Sequence, residues 1–194
     1  AIITNSTVDV QTPNTVEGSV TNTGLNVIQS FDASWTIGAN IYTASFNSLS
    51  IPSLGSYNFS HPDLLTFNVS GLDTLEVFIS NVNGLNSDFN TSNDSVLVQI
   101  EAVDYATLGN REYIYYHASS APPNCPLVLV CHGYSGTAQG IMDYSQFNAL
   151  AEEFGFAVCY PQGTLDGSNT TFFNVGYDFQ NNQTVDDVAF VEEL

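Results

Sequence analysis

The stretch Leu127-Val-Leu-Val-Cys-His-Gly-Tyr-Ser-Gly136 decides how the second half of this chain folds. It is an apolar run that ends in His-Gly and continues in small residues. Such a run predicts a strand followed by a loop whose backbone N–H groups point into an open site. Because Leu127 to Cys131 is continuously apolar, we expect helices to cover both faces of this strand.

The segments around this stretch predict a strand–helix–strand unit. Residues 111–117 have the composition of a strand, and residues 156–160 form a second short apolar strand. Between the apolar strands, large side chains recur with the i, i+3, i+4, i+7 spacing of a helix, at Phe147, Leu150, Ala151 and Phe154. Gly155 stands where a helix ends in a left-handed residue. This order predicts a right-handed βαβ unit with parallel pairing.

The first half of the chain has a different periodicity. Apolar residues alternate with polar ones in residues 31–37 and 75–79, and turn signals such as Asn83-Gly84 recur at short intervals. About seven short strands in roughly 100 residues predict an immunoglobulin-like β-sandwich. We place the domain boundary between residues 103 and 104, so that 1–103 form the sandwich and 104–194 the βαβ domain.

Composition excludes several classes of function. The chain has one basic residue, Arg111, against 20 acidic residues, and its net charge is −19. Binding nucleic acid requires Lys and Arg to neutralise phosphates, so we expect no nucleic-acid partner. No 18-residue apolar run occurs, so no transmembrane helix is predicted. The neutral polar surface suits a secreted or cell-surface protein, and the absence of an initial basic and apolar segment implies that any signal peptide has been removed.

The three cysteines, Cys125, Cys131 and Cys159, do not have the spacing of a metal site. Cys131 and Cys159 each fall at the end of an apolar strand, which favours two small buried hydrophobic residues. A disulfide involving one of them is the alternative, because an extracellular protein can keep one.

The first half resembles the CARDB-type adhesion-related domains of proteins secreted by Bacteroidetes. The resemblance rests on Val16-Glu-Gly-Ser-Val-Thr-Asn-Thr-Gly24, Ile51-Pro-Ser-Leu-Gly-Ser-Tyr57, Leu75-Glu-Val-Phe-Ile-Ser-Asn-Val-Asn-Gly84 and Asp88-Phe-Asn-Thr-Ser-Asn-Asp-Ser95. Within the last segment, oxygen-bearing side chains offer a weak candidate site for a structural Ca²⁺, at Asp88, Asn90, Asn93 and Asp94. The alternative is a hairpin loop whose Asx side chains bond their own backbone, and we expect this rather than any cofactor.

The second half resembles the polyhydroxybutyrate depolymerase and feruloyl esterase group of α/β-hydrolases. The matching segments are Gly109-Asn-Arg-Glu-Tyr-Ile-Tyr-Tyr116, Pro126-Leu-Val-Leu-Val-Cys-His-Gly133, Phe147-Asn-Ala-Leu-Ala-Glu-Glu-Phe-Gly-Phe156, Tyr160-Pro-Gln-Gly-Thr164, Asn174-Val-Gly176 and Val185-Asp-Asp-Val-Ala-Phe190. Phe173 stands where the family usually has Trp. The resemblance implies a truncated α/β-hydrolase domain that follows an all-β immunoglobulin-like sandwich.

The resemblance also implies an oxyanion hole. In that family the N–H just after His-Gly donates to the tetrahedral oxyanion, and the matching residues here are Tyr134 and its neighbour Ser135, with loop support from His132 and Gly133. The alternative is a plain strand-to-helix turn that uses Gly133 and Gly136 for tight geometry. Ser135 is an unsuitable nucleophile, because it follows the oxyanion strand and lacks the final glycine of G-x-S-x-G.

No catalytic triad can be assembled from these residues. No G-x-S-x-G occurs. His61 lies in the predicted sandwich and His117 ends a predicted strand, so neither is expected to act as the base. We therefore expect the nucleophile, acid and base to lie beyond Leu194. Thr184 is the expected N-cap of a last helix, which makes Asp186 and Asp187 structural.

Two functions remain open from the sequence. One is a secreted serine esterase that cleaves the carboxylic esters of a polymeric substrate, with this chain alone inactive. The other is a non-catalytic surface or adhesion component in which both domains serve as scaffold. In either case we expect a missing hydrolase segment or a partner chain to cover the edge of the strand 127–131.

Overall fold

The computed structural model describes residues 7–85, 90–177 and 182–194 and is mostly β-sheet. The chain divides into two compact units, one of residues 1–68 and 72–101 and the other of residues 69–71 and 102–194. None of the described helices is long enough to cross a membrane, since the longest have eight residues.

Within its described residues the first unit is all-β apart from one short 3₁₀ helix, Thr91–Asn93. Its strands are β1 (Thr7–Asp9), β2 (Asn14–Thr21), β3 (Phe31–Ile37), β4 (Asn40–Phe46), β5 (Ser56–Leu65), β6 (Gly71–Ser80) and the beginning of β7 (Ser95–Leu108). One sheet has the order β4-β3-β6-β7, with β1 also paired to β7, and β2 pairs with β5 in a separate sheet.

Alternation of apolar residues builds the core of this unit, as predicted. Phe31, Ala33 and Trp35 are buried on β3, and Leu75 and Val77 are buried on β6. Aromatic contacts join the sheets, since the Phe31 ring lies 6.0 Å from that of Phe59 on β5. Burial of each such aromatic side chain contributes roughly 2 kcal/mol or more.

The second unit contains the predicted strand–helix–strand order. Its elements are the end of β7, then β8 (Arg111–His117), β9 (Leu127–Leu129), α1 (Ala138–Ser145), α2 (Phe147–Phe154), β10 (Ala157–Pro161), β11 (Thr164–Leu165), β12 (Thr171–Phe172) and α3 (Asp187–Glu193). β10 pairs antiparallel with β8 and parallel with β9, so the predicted parallel pairing is confirmed. β11 and β12 form a hairpin.

The helix before β10 has the predicted bounds. α2 begins at Phe147 and ends at Phe154. Gly155 follows it as the expected left-handed cap, with a φ of 73° and an N–H that donates to the Ala151 carbonyl. Its predicted apolar face is only partly buried, because Ala151 is buried whereas Phe154 is 68% exposed.

Three details of the prediction are wrong. Helices do not cover both faces of β9, because Leu127 and Leu129 are 40% and 38% exposed. Cys131 is exposed rather than buried, although Cys159 is buried as predicted, and all three cysteines are free thiols in the structure. The N-cap of α3 is Asp186 rather than Thr184, since the Asp186 side chain accepts from the Ala189 N–H at 2.9 Å.

Candidate functional site

The loop after β9 is a tight turn closed by its own backbone. The Gly136 N–H donates to the Gly133 carbonyl at 3.0 Å, and Ser135 at the third turn position has a φ of 62°. A positive φ at that position with a negative φ at Tyr134 is the type II arrangement. A non-glycine residue in the left-handed region costs about 1 kcal/mol or more and is retained where surrounding contacts enforce it.

Those contacts come from β12. The Ser135 N–H donates to the Thr171 carbonyl at 2.8 Å, and the Thr171 hydroxyl donates to the Gly136 carbonyl at 2.5 Å. The backbone N–H of Ser135 is therefore already used within the unit. Of the two residues predicted for an oxyanion hole, only Tyr134 has a backbone N–H without an acceptor among the described residues.

His132, at the beginning of the loop, is hydrogen-bonded to Gly163. Its Nε2 accepts the Gly163 N–H at 2.9 Å, and its Nδ1 lies 2.7 Å from the Gly133 carbonyl. Because an amide N–H only donates and a carbonyl only accepts, these partners fix the neutral tautomer with the proton on Nδ1. The close approach requires glycine at 163, where a Cβ would collide with the Phe172 carbonyl.

Gln162 is a supporting residue that the sequence reasoning did not single out. Its side-chain oxygen accepts the Ala138 N–H at 2.9 Å, at the beginning of α1, and its Nε2 lies 3.2 Å from His132 Nε2. The only available signal was its position inside the quoted segment Tyr160-Pro-Gln-Gly-Thr164.

The Tyr134 side chain bonds the hairpin loop between β11 and β12. Its hydroxyl donates to Asp166 Oδ2 at 2.7 Å, which raises the pKa of Tyr134 and, with the Thr170 N–H, lowers the pKa of Asp166. Asp166 also accepts the Ser168 N–H at 2.8 Å and so shapes the hairpin turn.

An apolar cavity of about 680 Å³ opens beside this loop. His132 and Tyr134 line it, together with Phe172, Phe173, Val175, Val188 and Val191. The Phe173 ring packs on the His132 imidazole with centroids 4.8 Å apart. A volume of this size is within the range of small-molecule sites, which are mostly apolar with few polar groups.

One wall of the cavity is held by a buried ion pair. Arg111 donates to Asp187 Oδ1 at 2.6 Å, and the guanidinium lies 4.1 Å above the Phe190 ring. Asp187 also accepts the Asn174 N–H through its other oxygen. These contacts fix the position of Asp187 at the beginning of α3.

Other residues considered in the sequence belong to the first unit. His61 is buried in the first unit and accepts the Asp63 N–H through Nδ1. In the candidate calcium loop, Asp88 lies outside the described residues. Asn90 uses its side-chain oxygen for the Ser92 N–H and hydroxyl, at 3.3 and 2.6 Å, which is the Asx turn given as the alternative. Across the described residues no three His, Cys, Asp or Glu side chains are grouped as metal ligands.

Comparison with known proteins finds little. No family model and no curated protein matches the chain. Among solved structures the chain is similar to the CARDB domain of a Pyrococcus furiosus protein, crystallised in complex with di-metal ions. The identity is 15%, the TM-score is 0.41, and the match covers 50% of this chain and 80% of that one.

Proposed function

We propose that the second unit belongs to a secreted carboxylic ester hydrolase of the α/β-hydrolase class and that Tyr134 supplies an oxyanion-hole N–H. The observation that carries the proposal is the Tyr134 amide, which has no acceptor among the described residues and lies on a strained, braced turn at the edge of an apolar cavity. Preorganised backbone donors of this kind stabilise the charge of a tetrahedral intermediate.

His132 has a supporting part in this proposal. With both ring nitrogens bonded to backbone groups, it keeps the turn in place and is not available as a general base. The apolar cavity would receive the acyl or alcohol part of a carboxylic ester, with polyester, feruloyl and acetyl esters of polysaccharides as candidate substrates. The serine, its histidine base and the acid come from a segment other than these 194 residues and complete the site through an acyl-enzyme mechanism.

The first unit fits this proposal as an immunoglobulin-like, CARDB-type module. Its support is the alternating core of two sheets and the segments that resemble such domains. In this proposal ester cleavage takes place in the second unit alone.

The decisive experiment has two stages. The coding sequence after the Leu194 codon is determined, and a G-x-S-x-G motif within about 30 residues supports the esterase. Absence of such a motif overturns it in favour of a non-catalytic surface component.

In the longer protein, Tyr134→Pro is then compared with Tyr134→Ala for hydrolysis of p-nitrophenyl acetate. Proline is favoured at the second position of a type II turn and removes the N–H, whereas alanine keeps it. We expect kcat to fall roughly 100-fold or more only in Tyr134→Pro. Equal activity of the two variants would place the oxyanion donor elsewhere.

A further inference from the structure

A second group of reactive side chains lies away from the Tyr134 loop, at the beginning of β9. His117 is the last residue of β8, and Cys125 comes two residues before β9. His117 and Leu127 are both register partners of Ala157 on β10, so the end of β8 and the beginning of β9 flank the same residue. Two turns fold the connecting loop, with the Ala121 N–H on the Ala118 carbonyl at 3.0 Å and the Cys125 N–H on the Pro122 carbonyl at 3.1 Å.

The imidazole of His117 is oriented toward the thiol. Its Nδ1 lies 3.0 Å from the Ala118 carbonyl, and its Nε2 lies 3.7 Å from Cys125 Sγ. Because the carbonyl can only accept, the proton is on Nδ1 and Nε2 is left as an acceptor for the thiol proton. The Cys125 thiol, the His117 imidazole and the Ala118 carbonyl therefore contact one another in a chain, with the carbonyl orienting the base and the base facing the nucleophile, as in activated cysteines.

The other two cysteines have no such partner among the described residues. Cys159 is buried in β10, and burial raises the pKa of its thiol to about 12. Cys131 is exposed, but desolvation of its thiol and the nearby Asp187 carboxylate raise its pKa. Cys125 is half-buried and differs from both because a histidine nitrogen lies close enough to accept its thiol proton.

We propose that Cys125 is a thiol–disulfide exchange site that reacts with small-molecule disulfides, with His117 as its proton acceptor. The Cys125 S–H proton passes to His117 Nε2, and the thiolate attacks one sulfur of the disulfide. A new S–S bond forms as the original one breaks, and the departing thiolate takes the proton from His117. The disulfide is the oxidant, so electrons and protons balance.

Titratable side chains of the described residues lie near the pair on β8 and near the loop that follows it on α2. Tyr115 on β8 is close enough for Cys125 to contribute to the rise in its pKa. On α2, Glu152 accepts the Ser119 N–H and hydroxyl, at 2.8 and 2.6 Å, and also the Tyr116 hydroxyl. With a chain charge of −19, a neutral disulfide is the suitable probe because it avoids electrostatic repulsion.

The test measures the rate of mixed-disulfide formation at each cysteine with 2-hydroxyethyl disulfide at pH 7. Chymotryptic peptides separate the three positions for mass spectrometry. We expect Cys125 to react first, and His117→Asn to slow it about 10-fold or more. Asparagine can keep a donor toward the Ala118 carbonyl while it removes the Nε2 acceptor.

Cys131 serves as the internal control, because its rate should be the same in both proteins if His117→Asn folds normally. The ratio of Cys125 rates between wild type and variant should therefore exceed the ratio of Cys131 rates. An unchanged Cys125 rate in His117→Asn, or Cys131 reacting first, would overturn the proposal.

Discussion

Strands β9 and β10 lie side by side, run parallel and have similarly apolar sequences, yet they differ in burial. All five residues of β10 are buried, whereas β9 exposes Leu127 and Leu129. β10 has β8 on one edge and β9 on the other, while β9 is the last strand of the order β8-β10-β9 among the described strands. Position in the sheet, rather than apolar character, therefore decides which of two similar segments forms the core.

The two edges of β10 also differ in what anchors them. On the β8 side five register pairs form. Arg111, at the beginning of β8, also forms an ion pair with Asp187 of α3 and donates to the carbonyl of Gln162, the residue after β10, at 3.2 Å. On the β9 side only three register pairs form. We expect substitutions on the β8 side to have the larger effects.

The largest expected effect follows from breaking the ion pair on the β8 side. The side chains of Arg111 and Asp187 are 10% and 7% exposed, so Arg111→Met leaves a buried, unpaired carboxylate. We expect a loss of about 3–5 kcal/mol in the free energy of unfolding, measured by urea denaturation. The double variant Arg111→Met/Asp187→Leu should recover most of that loss, because both charges are then gone. A single variant as stable as wild type would show that the pair does not anchor β8.

The second prediction compares the two strands directly. Val158 on β10 and Val128 on β9 are register partners, and Val158 is 0% exposed while Val128 is only half-buried. Val158→Ala should cost about 2–3 kcal/mol and Val128→Ala less than about 1 kcal/mol, by the same denaturation measurement. Equal losses would mean that β9 is covered in solution.

The contrast between β9 and β10 also marks the limit of what the sequence could predict. Periodicity and turn residues predicted β8 with its observed bounds, α2 with its Gly155 cap and the parallel pairing of β9 with β10. Each of these depends on local backbone preference and on short connections. Exposure of Leu127 and Leu129 depends on which elements pack against that face of β9, and the local sequence of the strand does not determine this.

The candidate site also combines features that the local sequence predicted with features that depend on distant residues. The His-Gly stretch indicated the turn at Tyr134, but its bracing by Thr171 and Gly163 comes from residues about 30 positions away. The Cys125–His117 pair was missed because nothing in the spacing of these residues indicates a contact, which depends on the register of β8 and β9 against Ala157. The N-cap of α3 was misplaced by two residues because Thr184 and Asp186 both have capping side chains.

The third prediction uses Cys159, in the middle of β10, and Cys131, two residues after the end of β9. Because the folded state raises the pKa of Cys159 to about 12, its protonated form stabilises the fold below the ordinary cysteine pKa of about 8.5. That contribution is lost as pH rises from there toward 12. The free energy of unfolding should therefore fall between pH 8.5 and 10 more steeply in wild type than in Cys159→Ala. Cys131→Ala, at the exposed position, should change the slope less, and identical slopes in wild type and Cys159→Ala would contradict the buried position.

The smallest effect on stability is expected at the outer edge of β9. Leu129→Lys places a charge on an exposed position, so the free energy of unfolding should change by no more than about 0.5 kcal/mol. An exposed apolar edge strand is nevertheless a template for pairing, and a lysine there discourages it. We therefore expect the 194-residue chain to be recovered with a covering segment or partner, or to self-associate, and Leu129→Lys to weaken that association. Light scattering distinguishes the outcomes: a wild-type monomer of 21.0 kDa with no companion fragment on a gel would show that the edge of β9 needs no cover.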